Sequence, residues 1–367
     1  MRVAFVHDFL VSYGGAERVL ESLIKLYPDA PIYTLLHDER AMHGRFPGRE
    51  IRTSFLQKLP RFIRKRYRLL LPFFPIGVET FDLRDFDLVL SSSGAWSKGV
   101  VTRLHTTHIA YLHSPMRLLW DANERYLRAV RAGMLARFFG RMILSYLRMW
   151  DSQAAERPDT IVSNSEYTRS RAMKYYRRDS SVVYPTVTLR KREGATAGKL
   201  FFLIVSRLTE SKGVEAAIEA FNKLGLRLVI VGEGRERKRL ERMAGGNVSF
   251  LGFVDDARLG ELYAEATAVV VPSEEDFGMA AAEAIAAGTP VIALGRGGSL
   301  EIVEKGVTGE LFRSDTPEVL ADAVRRFLEN GASRYEAGCR AVAGRFSEER
   351  FLSEWRRIVD GVMSETK

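Results

Sequence analysis

Two glutamates eight residues apart, Glu275 and Glu283 in VVVPSEEDFGMAAAEAIAAGTPVIA, carry the clearest chemical signal in this chain. The apolar run before them reads as a strand and the alanine-rich run after them as a helix. Glu275 then falls in the connecting loop and Glu283 inside the helix. Phe277, Gly278 and Met279 stand at the helix start, where amides without intrahelical partners and the positive end of the dipole favour a phosphate. Glu283 projects about one turn deeper, and a carboxylate there can accept two hydrogen bonds from a ribose diol. A solvated helix residue fits its position equally well. For Glu275, flanked by Glu274 and Asp276, charge patterning alone favours a solvated acidic loop.

Cations sit where such a ligand would need them. In VSRLTESKG, Arg207 ends a strand, Lys212 follows five residues later, and Gly213 opens a helix. Open α/β sheets bind ligands at the carboxyl ends of their strands, so the pair suits a diphosphate, although two solvated surface charges remain the plainer reading. Gly232 and Gly234 in VIVGEG could let backbone approach a ligand. After Gly234 comes Arg235 and no further spaced glycine, so the dinucleotide fingerprint of a nicotinamide enzyme is incomplete. Gly14 and Gly15 lie between the first strand and the first helix, as an anion-binding turn or as an ordinary tight one. Asp85 and Asp87 form an Asp-x-Asp at the amino end of FDLVLSSS, the wrong end for a metal-bound ligand. His105 and His108 lie beside the strand-like HIAYLH, three residues apart and so on opposite faces, which does not suggest a metal site.

The elements that must hold these residues alternate in type. RVAFVH, PIYTLL, FDLVLSSS, HIAYLH and TIVSN read as strands separated by helical stretches such as GAERVLESLIKLY, and KLFFLIVS, RLVIVG, VSFLGFV, ATAVVVPS and TPVIALG repeat the rhythm more cleanly. Strands alternating with helices predict parallel, doubly wound sheets. The polar, turn-rich YPTVTLRKREGATAGK separates the two series. The expected layout is therefore a first domain over 1–185, a linker over 186–198, a second domain over 199–346, and a helix over 347–367 packing back towards the first. Ser347 is its expected N-cap, with Glu348 and Glu349 in the first turn.

Composition narrows the classes. A chain of 367 residues with 46% hydrophobic and 28% charged residues is an ordinary globular protein of two domains. Its one cysteine, Cys339, excludes an internal disulfide framework and a cysteine-rich zinc site. The apolar start is interrupted by His7 and Asp8 and reads as a first strand, not a signal peptide. No apolar stretch reaches the roughly 20 residues that span a bilayer, so a cytoplasmic, non-integral protein is expected. The net charge of +9 divides into +11 over residues 1–185 and −2 over 186–367.

Taken together and in order, these segments resemble the family 4 retaining glycosyltransferases, from Gly14 and Gly15 to GRGGSLEIV and GVTGELF. The resemblance implies two facing Rossmann-like domains of the GT-B type, with an acceptor-binding first domain, a nucleotide-sugar-binding second domain and the reaction in the cleft between them. It implies that Arg207 and Lys212 neutralise the donor diphosphate, that Glu283 holds the ribose, and that Glu275 with the amides of Phe277, Gly278 and Met279 meets the sugar and phosphate. Gly14, Gly15, Gly232 and Val254 complete the donor positions it implies. IAYLHSPMRLLWD resembles the strand-end histidine segment of members that use GDP-mannose, with His113, Arg117 and Asp121 as matching positions. A lone histidine after an apolar strand is more often structural; its place beside Pro115 at a strand end favours a site role. The implied reaction is front-face transfer of mannose from GDP-mannose to a glycan or lipid-linked acceptor, with no cofactor and no metal. A UDP-sugar donor, or a non-catalytic nucleotide-sugar-binding protein, is the alternative.

The basic first half adds a partner. LPRFIRKRYRLLLPFFP interleaves Arg61, Arg64, Lys65, Arg66 and Arg68 with Phe62, Tyr67, Leu69 and Phe73, and ARFFGRMILSYLRMW repeats the mixture. Such segments can lie on an anionic membrane, here its inner face, and a solvated face over an ordinary core is as consistent with them. Nucleic acid is the other reader of a basic surface; the lipid-linked acceptors common in the resembled family favour the membrane.

Overall fold

The computed structural model describes residues 1–64, 66–121, 134–187 and 201–365. It divides into two compact units, the first comprising Met1–Tyr184 with Phe351–Lys367 and the second Pro185–Arg350.

In the first unit, β1 (Val3–His7), β2 (Ile32–Thr34), β3 (Ile51–Thr53), β4 (Leu88–Ser93), β5 (Thr107–Leu112), β6 (Thr160–Ser163) and β7 (Ser181–Val182) form one sheet in the order β3-β2-β1-β4-β5-β6-β7. Every pairing is parallel. Along β1 the side chains alternate between two cores: Val3 and Phe5 join one, Ala4 and Val6 the other. Both faces of the sheet are covered, as a parallel sheet requires. One cover is the last helix, Glu348–Glu365, whose Phe351, Trp355 and Val359 are buried. Burying side chains of this size stabilises by about 1.5–3 kcal/mol each, and Trp355 meets the Tyr111 ring edge-on at 5.4 Å. Ser347 caps this helix through the Arg350 amide, so the division between the units falls in the helix's first turn.

The second unit repeats the plan. β8 (Phe202–Val205), β9 (Leu228–Val231), β10 (Val248–Gly252), β11 (Ala268–Val271), β12 (Val291–Leu294) and β13 (Gly309–Phe312) form a parallel sheet in the order β10-β9-β8-β11-β12-β13. Both orders double back once, between β1 and β4 and between β8 and β11. That reversal is the point where connections leave in opposite directions and a crevice opens at the carboxyl edge. β3 and β13, at or near sheet edges, are short strands that the apolar periodicity did not single out. Thr186 and Val187 hydrogen-bond to the Phe346 carbonyl within the second unit, while residues 188–198 of the expected linker lie outside the described residues. Among the described residues no helix is long and apolar enough to cross a membrane.

Candidate functional site

In the second unit the reversal point gathers the residues singled out from sequence. Arg207 follows β8 and is exposed. Its segment is clamped by backbone bonds from Ser206 to Val231 and from Leu208 to Glu233. Gly232, with φ of +127°, makes this possible: a Cβ there would stand 2.0 Å from the Ser206 carbonyl oxygen. The close approach expected of Gly232 is thus to the chain's own backbone, where it fixes the Arg207 segment.

Lys212 closes the same connection. The next residue, Gly213, has φ of +63° and lies so close to Pro272 that a Cβ would meet its carbonyl oxygen at 2.6 Å. Lys212 thereby reaches the loop after β11, where its Nζ donates to both carboxylate oxygens of Glu275 at 2.7 Å. The Ser273 hydroxyl donates to Glu275 Oε1 at 2.6 Å, and the Gly298 amide donates to the Glu275 carbonyl at 2.9 Å. The Lys212 and Glu275 side chains keep 23% and 22% of their exposure, so a ligand can compete for either. The solvated acidic loop foreseen from charge patterning is instead a pinned carboxylate.

Phe277 and Gly278 are buried at the start of the helix Met279–Ala286, and Met279 is half-buried. Glu283 lies inside that helix at 5% exposure, where the Tyr263 hydroxyl donates to its Oε2 at 2.7 Å. A buried carboxylate must be hydrogen-bonded to be tolerated, so Glu283 is no solvated helix residue. Tyr263 lies on the helix Asp256–Glu265; no local pattern in the sequence ties it to a glutamate 20 positions on. Val254, partly buried, lies between β10 and that helix.

In the first unit the carboxyl edge carries His7 at the end of β1, Ser92 in β4 and His113 after β5. His113 Nε2 pairs with Ser92 Oγ at 2.8 Å, and Ser92 Oγ with His7 Nδ1 at 3.0 Å. His7 Nε2 reaches Glu17 Oε1 at 3.3 Å. Burial, and then the neighbouring His7, pull the His113 pKa down to about 4, so the ring is neutral near pH 7. Next to His7, the Asp8 carboxylate accepts the amides of Gly94, Trp96 and Ser97 at 2.7–2.9 Å and fixes the loop after β4. Gly14 precedes and Gly15 begins the helix Gly15–Leu23 that carries Glu17, and both are partly buried. Sequence reading missed His7, Asp8, Glu17 and Ser92. The available signal was a histidine and an aspartate interrupting an apolar strand at its carboxyl end.

Arg117 begins the one-turn helix Arg117–Trp120. Asp121 ends it and is held by Arg171 at 2.6 Å and by the Tyr175 hydroxyl at 2.8 Å. Arg171 also donates to the Pro115 carbonyl at 3.2 Å, so the link from Asp121 to the His113 segment runs through this arginine. Asp85 and Asp87 sit at the amino end of β4, where Asp87 accepts from the Arg2 amide at 2.6 Å and Asp85 lies 3.9 Å from the Arg2 guanidinium.

A model of the group 1 glycosyl transferases matches residues 186–341, and a model of glycosyltransferase family 4 matches residues 13–191. The chain is similar to the alpha-1,3/1,6-mannosyltransferase of Saccharomyces cerevisiae, 28% identical over 100% of this chain and 86% of that enzyme. It is 34% identical to the GDP-mannose-dependent alpha-mannosyltransferase of Corynebacterium glutamicum, over 45% of this chain and 40% of the relative. Among solved structures, Anabaena HepE in complex with UDP shares the fold with a TM-score of 0.73 at 19% identity, covering 98% of this chain and 100% of that one.

Proposed function

The chain belongs to the family 4 glycosyltransferases, and on that premise we propose that it transfers mannose from GDP-mannose, with retention, to a hydroxyl of a lipid-linked or oligosaccharide acceptor. The observation that carries this reading is the Lys212–Glu275 pair in the loops that meet at the reversal point of the second sheet, with the exposed Arg207 on the same connection as Lys212. A departing nucleoside diphosphate develops negative charge, and fixed cations and helix-start amides stabilise it without a metal. In the absence of donor Glu275 neutralises Lys212; a bound diphosphate takes over the lysine and releases the carboxylate towards the sugar hydroxyls. Glu283, oriented by Tyr263, accepts the ribose diol.

The yeast and Corynebacterium relatives support mannose and GDP-mannose, while HepE, with UDP, supports a UDP-sugar as the second reading. A thermal-shift series with GDP, UDP and their sugars separates the two, because a ligand of the native state raises apparent stability. A shift with uridine nucleotides alone rejects GDP-mannose. Release of free sugar from the donor without acceptor distinguishes a transferase from a non-catalytic binder, and activity lost in EDTA rejects metal independence.

The acceptor reading includes docking of the first unit on the inner, anionic face of a membrane. Phe62 and Leu69 are 70% and 72% exposed, and the helix Met134–Ala154 exposes Phe138, Phe139, Met142, Tyr146 and Met149 beside Arg137 and Arg141. Both segments pack their buried sides into one core. Lys65 and the Arg68 side chain lie outside what the structure describes. In vesicle co-sedimentation, changing Arg64, Lys65 and Arg66 to Glu weakens pelleting with anionic lipid, and added salt does the same as the Debye length falls from about 10 Å at 0.1 M to about 3 Å at 1 M. Equal pelleting of both proteins rejects this surface.

A further inference from the structure

We propose that Glu17, His7 and Ser92 form a positioning relay that fixes His113 with its proton on Nε2, leaving Nδ1 as a lone-pair acceptor for a hydroxyl of the sugar or the acceptor. The identity of that hydroxyl rests on the transferase reading above; the relay itself does not.

The relay follows from counting protons. A carboxylate only accepts, so the contact between His7 Nε2 and Glu17 Oε1 at 3.3 Å places a proton on His7 Nε2, and in the proposed relay this is the ring's only one. Its Nδ1 is then bare and accepts from Ser92 Oγ, 3.0 Å away. The serine has one proton, now committed, and faces His113 Nε2 at 2.8 Å with a lone pair. His113 must donate there. Because the ring carries a single proton at neutral pH, its Nδ1 is an acceptor. One carboxylate at the far end thus sets the tautomer three groups away.

A second serine–histidine pair on the same strands shows what a structural histidine looks like. His108 Nε2 pairs with Ser91 Oγ at 2.8 Å. Its ring is fully buried and Nδ1 is sealed in without a partner. His113 differs. The residue as a whole is only partly buried, and among the described residues its ring bonds through Nε2 and not through Nδ1. It stands after β5, at the carboxyl edge where this sheet type receives ligands.

The test reads the tautomer directly, by nitrogen-15 NMR of the full chain labelled at histidine, near pH 7.5. The wild type shows His113 protonated at Nε2 and bare at Nδ1. Glu17→Ala and Ser92→Ala each turn His113 into a mixture of tautomers, and Glu17→Asp, which keeps the acceptor, restores the wild-type signature in part. Where transfer is measured, both alanine variants lower kcat by about tenfold or more, as loss of a needed hydrogen bond does, with donor KM changed less. A wild-type His113 protonated at Nδ1, or an unaltered Nε2–H signature in both alanine variants, overturns the relay. A tautomer that behaves as described in a protein without transfer activity supports the relay and rejects the transferase reading, so the two failures are distinct.

Discussion

Lys98–Asp151 in the first unit and Lys212–Glu275 in the second are the same chemical pair, closed at 2.5 Å and 2.7 Å, in opposite surroundings. The Lys98 and Asp151 side chains are 1% and 0% exposed, against 23% and 22% for Lys212 and Glu275. Asp151 also accepts from Trp120 Nε1 and the Tyr176 hydroxyl at 2.8 Å each, and Lys98 donates to the Ala95 carbonyl. The buried pair is saturated from within. The half-exposed pair stands at the carboxyl edge of a sheet reversal, where an incoming anion can displace the carboxylate. Solvent access and position in the sheet, not residue type, separate a core fastener from a candidate site.

The comparison breaks most sharply at Lys98. Removing one partner of a buried pair leaves an uncompensated charge and costs about 3–5 kcal/mol, a large share of a domain stability of about 5–15 kcal/mol. All four tryptophans, Trp96, Trp120, Trp150 and Trp355, belong to the first unit. Urea unfolding of Lys98→Met followed by tryptophan fluorescence therefore reports the unit that holds the pair. The midpoint moves to lower urea; an unmoved midpoint would show the pair to be dispensable.

Lys212→Ala gives the reverse pattern. Loss of one group that stabilises developing charge lowers turnover by about 10²–10³, or 2.7–4 kcal/mol. A pair that keeps its access to solvent contributes far less to the fold than a fully buried one, with about 0–1 kcal/mol typical at the surface, so unfolding followed by far-ultraviolet circular dichroism changes little. A variant that unfolds early while keeping its turnover would make Lys212–Glu275 a second fastener.

How far each feature was legible follows from the range of the interaction behind it. Strand–helix alternation is local, and it exposed both parallel sheets. Lys212 and Glu275 can be singled out because each lies in the connection that follows a strand, but their contact depends on Gly213 lying against Pro272, a packing event between distant segments. The spacing of Gly232 suggests an approach to a ligand, because sequence cannot show that the Ser206 backbone already fills the space. Tyr263 gave no sign at all, since a tyrosine in a helix is ordinary core material until its hydroxyl is seen on Glu283.

Tyr263→Phe sharpens the comparison at a carboxylate of intermediate kind, buried yet assigned to a ligand. Hydrogen bonds to charged groups contribute about 1.5–3 kcal/mol, so the variant loses an amount in that range in urea unfolding. Donor affinity in calorimetry also falls, because Glu283 is no longer oriented. Unchanged donor affinity with the expected loss of stability would leave Glu283 a structural group.

The effect most specific to one unit is a pH dependence. All six histidines lie in the first unit. Burial lowers the pKa of His108 to about 3, and burial with the adjacent His7 lowers that of His113 to about 4. Unfolded histidines bind protons near pH 6.5. Between that value and about 4 the unfolded chain binds more protons than the folded one, so stability rises with pH in this window. The contribution is fully present above about pH 6.5 and is lost as pH falls towards the folded values. One proton gives a slope of at most about 1.4 kcal/mol per pH unit. Above pH 5 most carboxylates remain ionised, so the histidine effect can be read by itself. Hydrogen exchange at pH 7.5, 6.5 and 5.5, corrected for the intrinsic pH dependence of exchange, follows peptides from β1 and β5 beside peptides from β9 and β11. Protection of β1 and β5 drops as the solution is acidified while that of β9 and β11 holds, and His108→Asn removes part of the drop. Equal acid sensitivity in the two units would place the responsible groups outside the histidines.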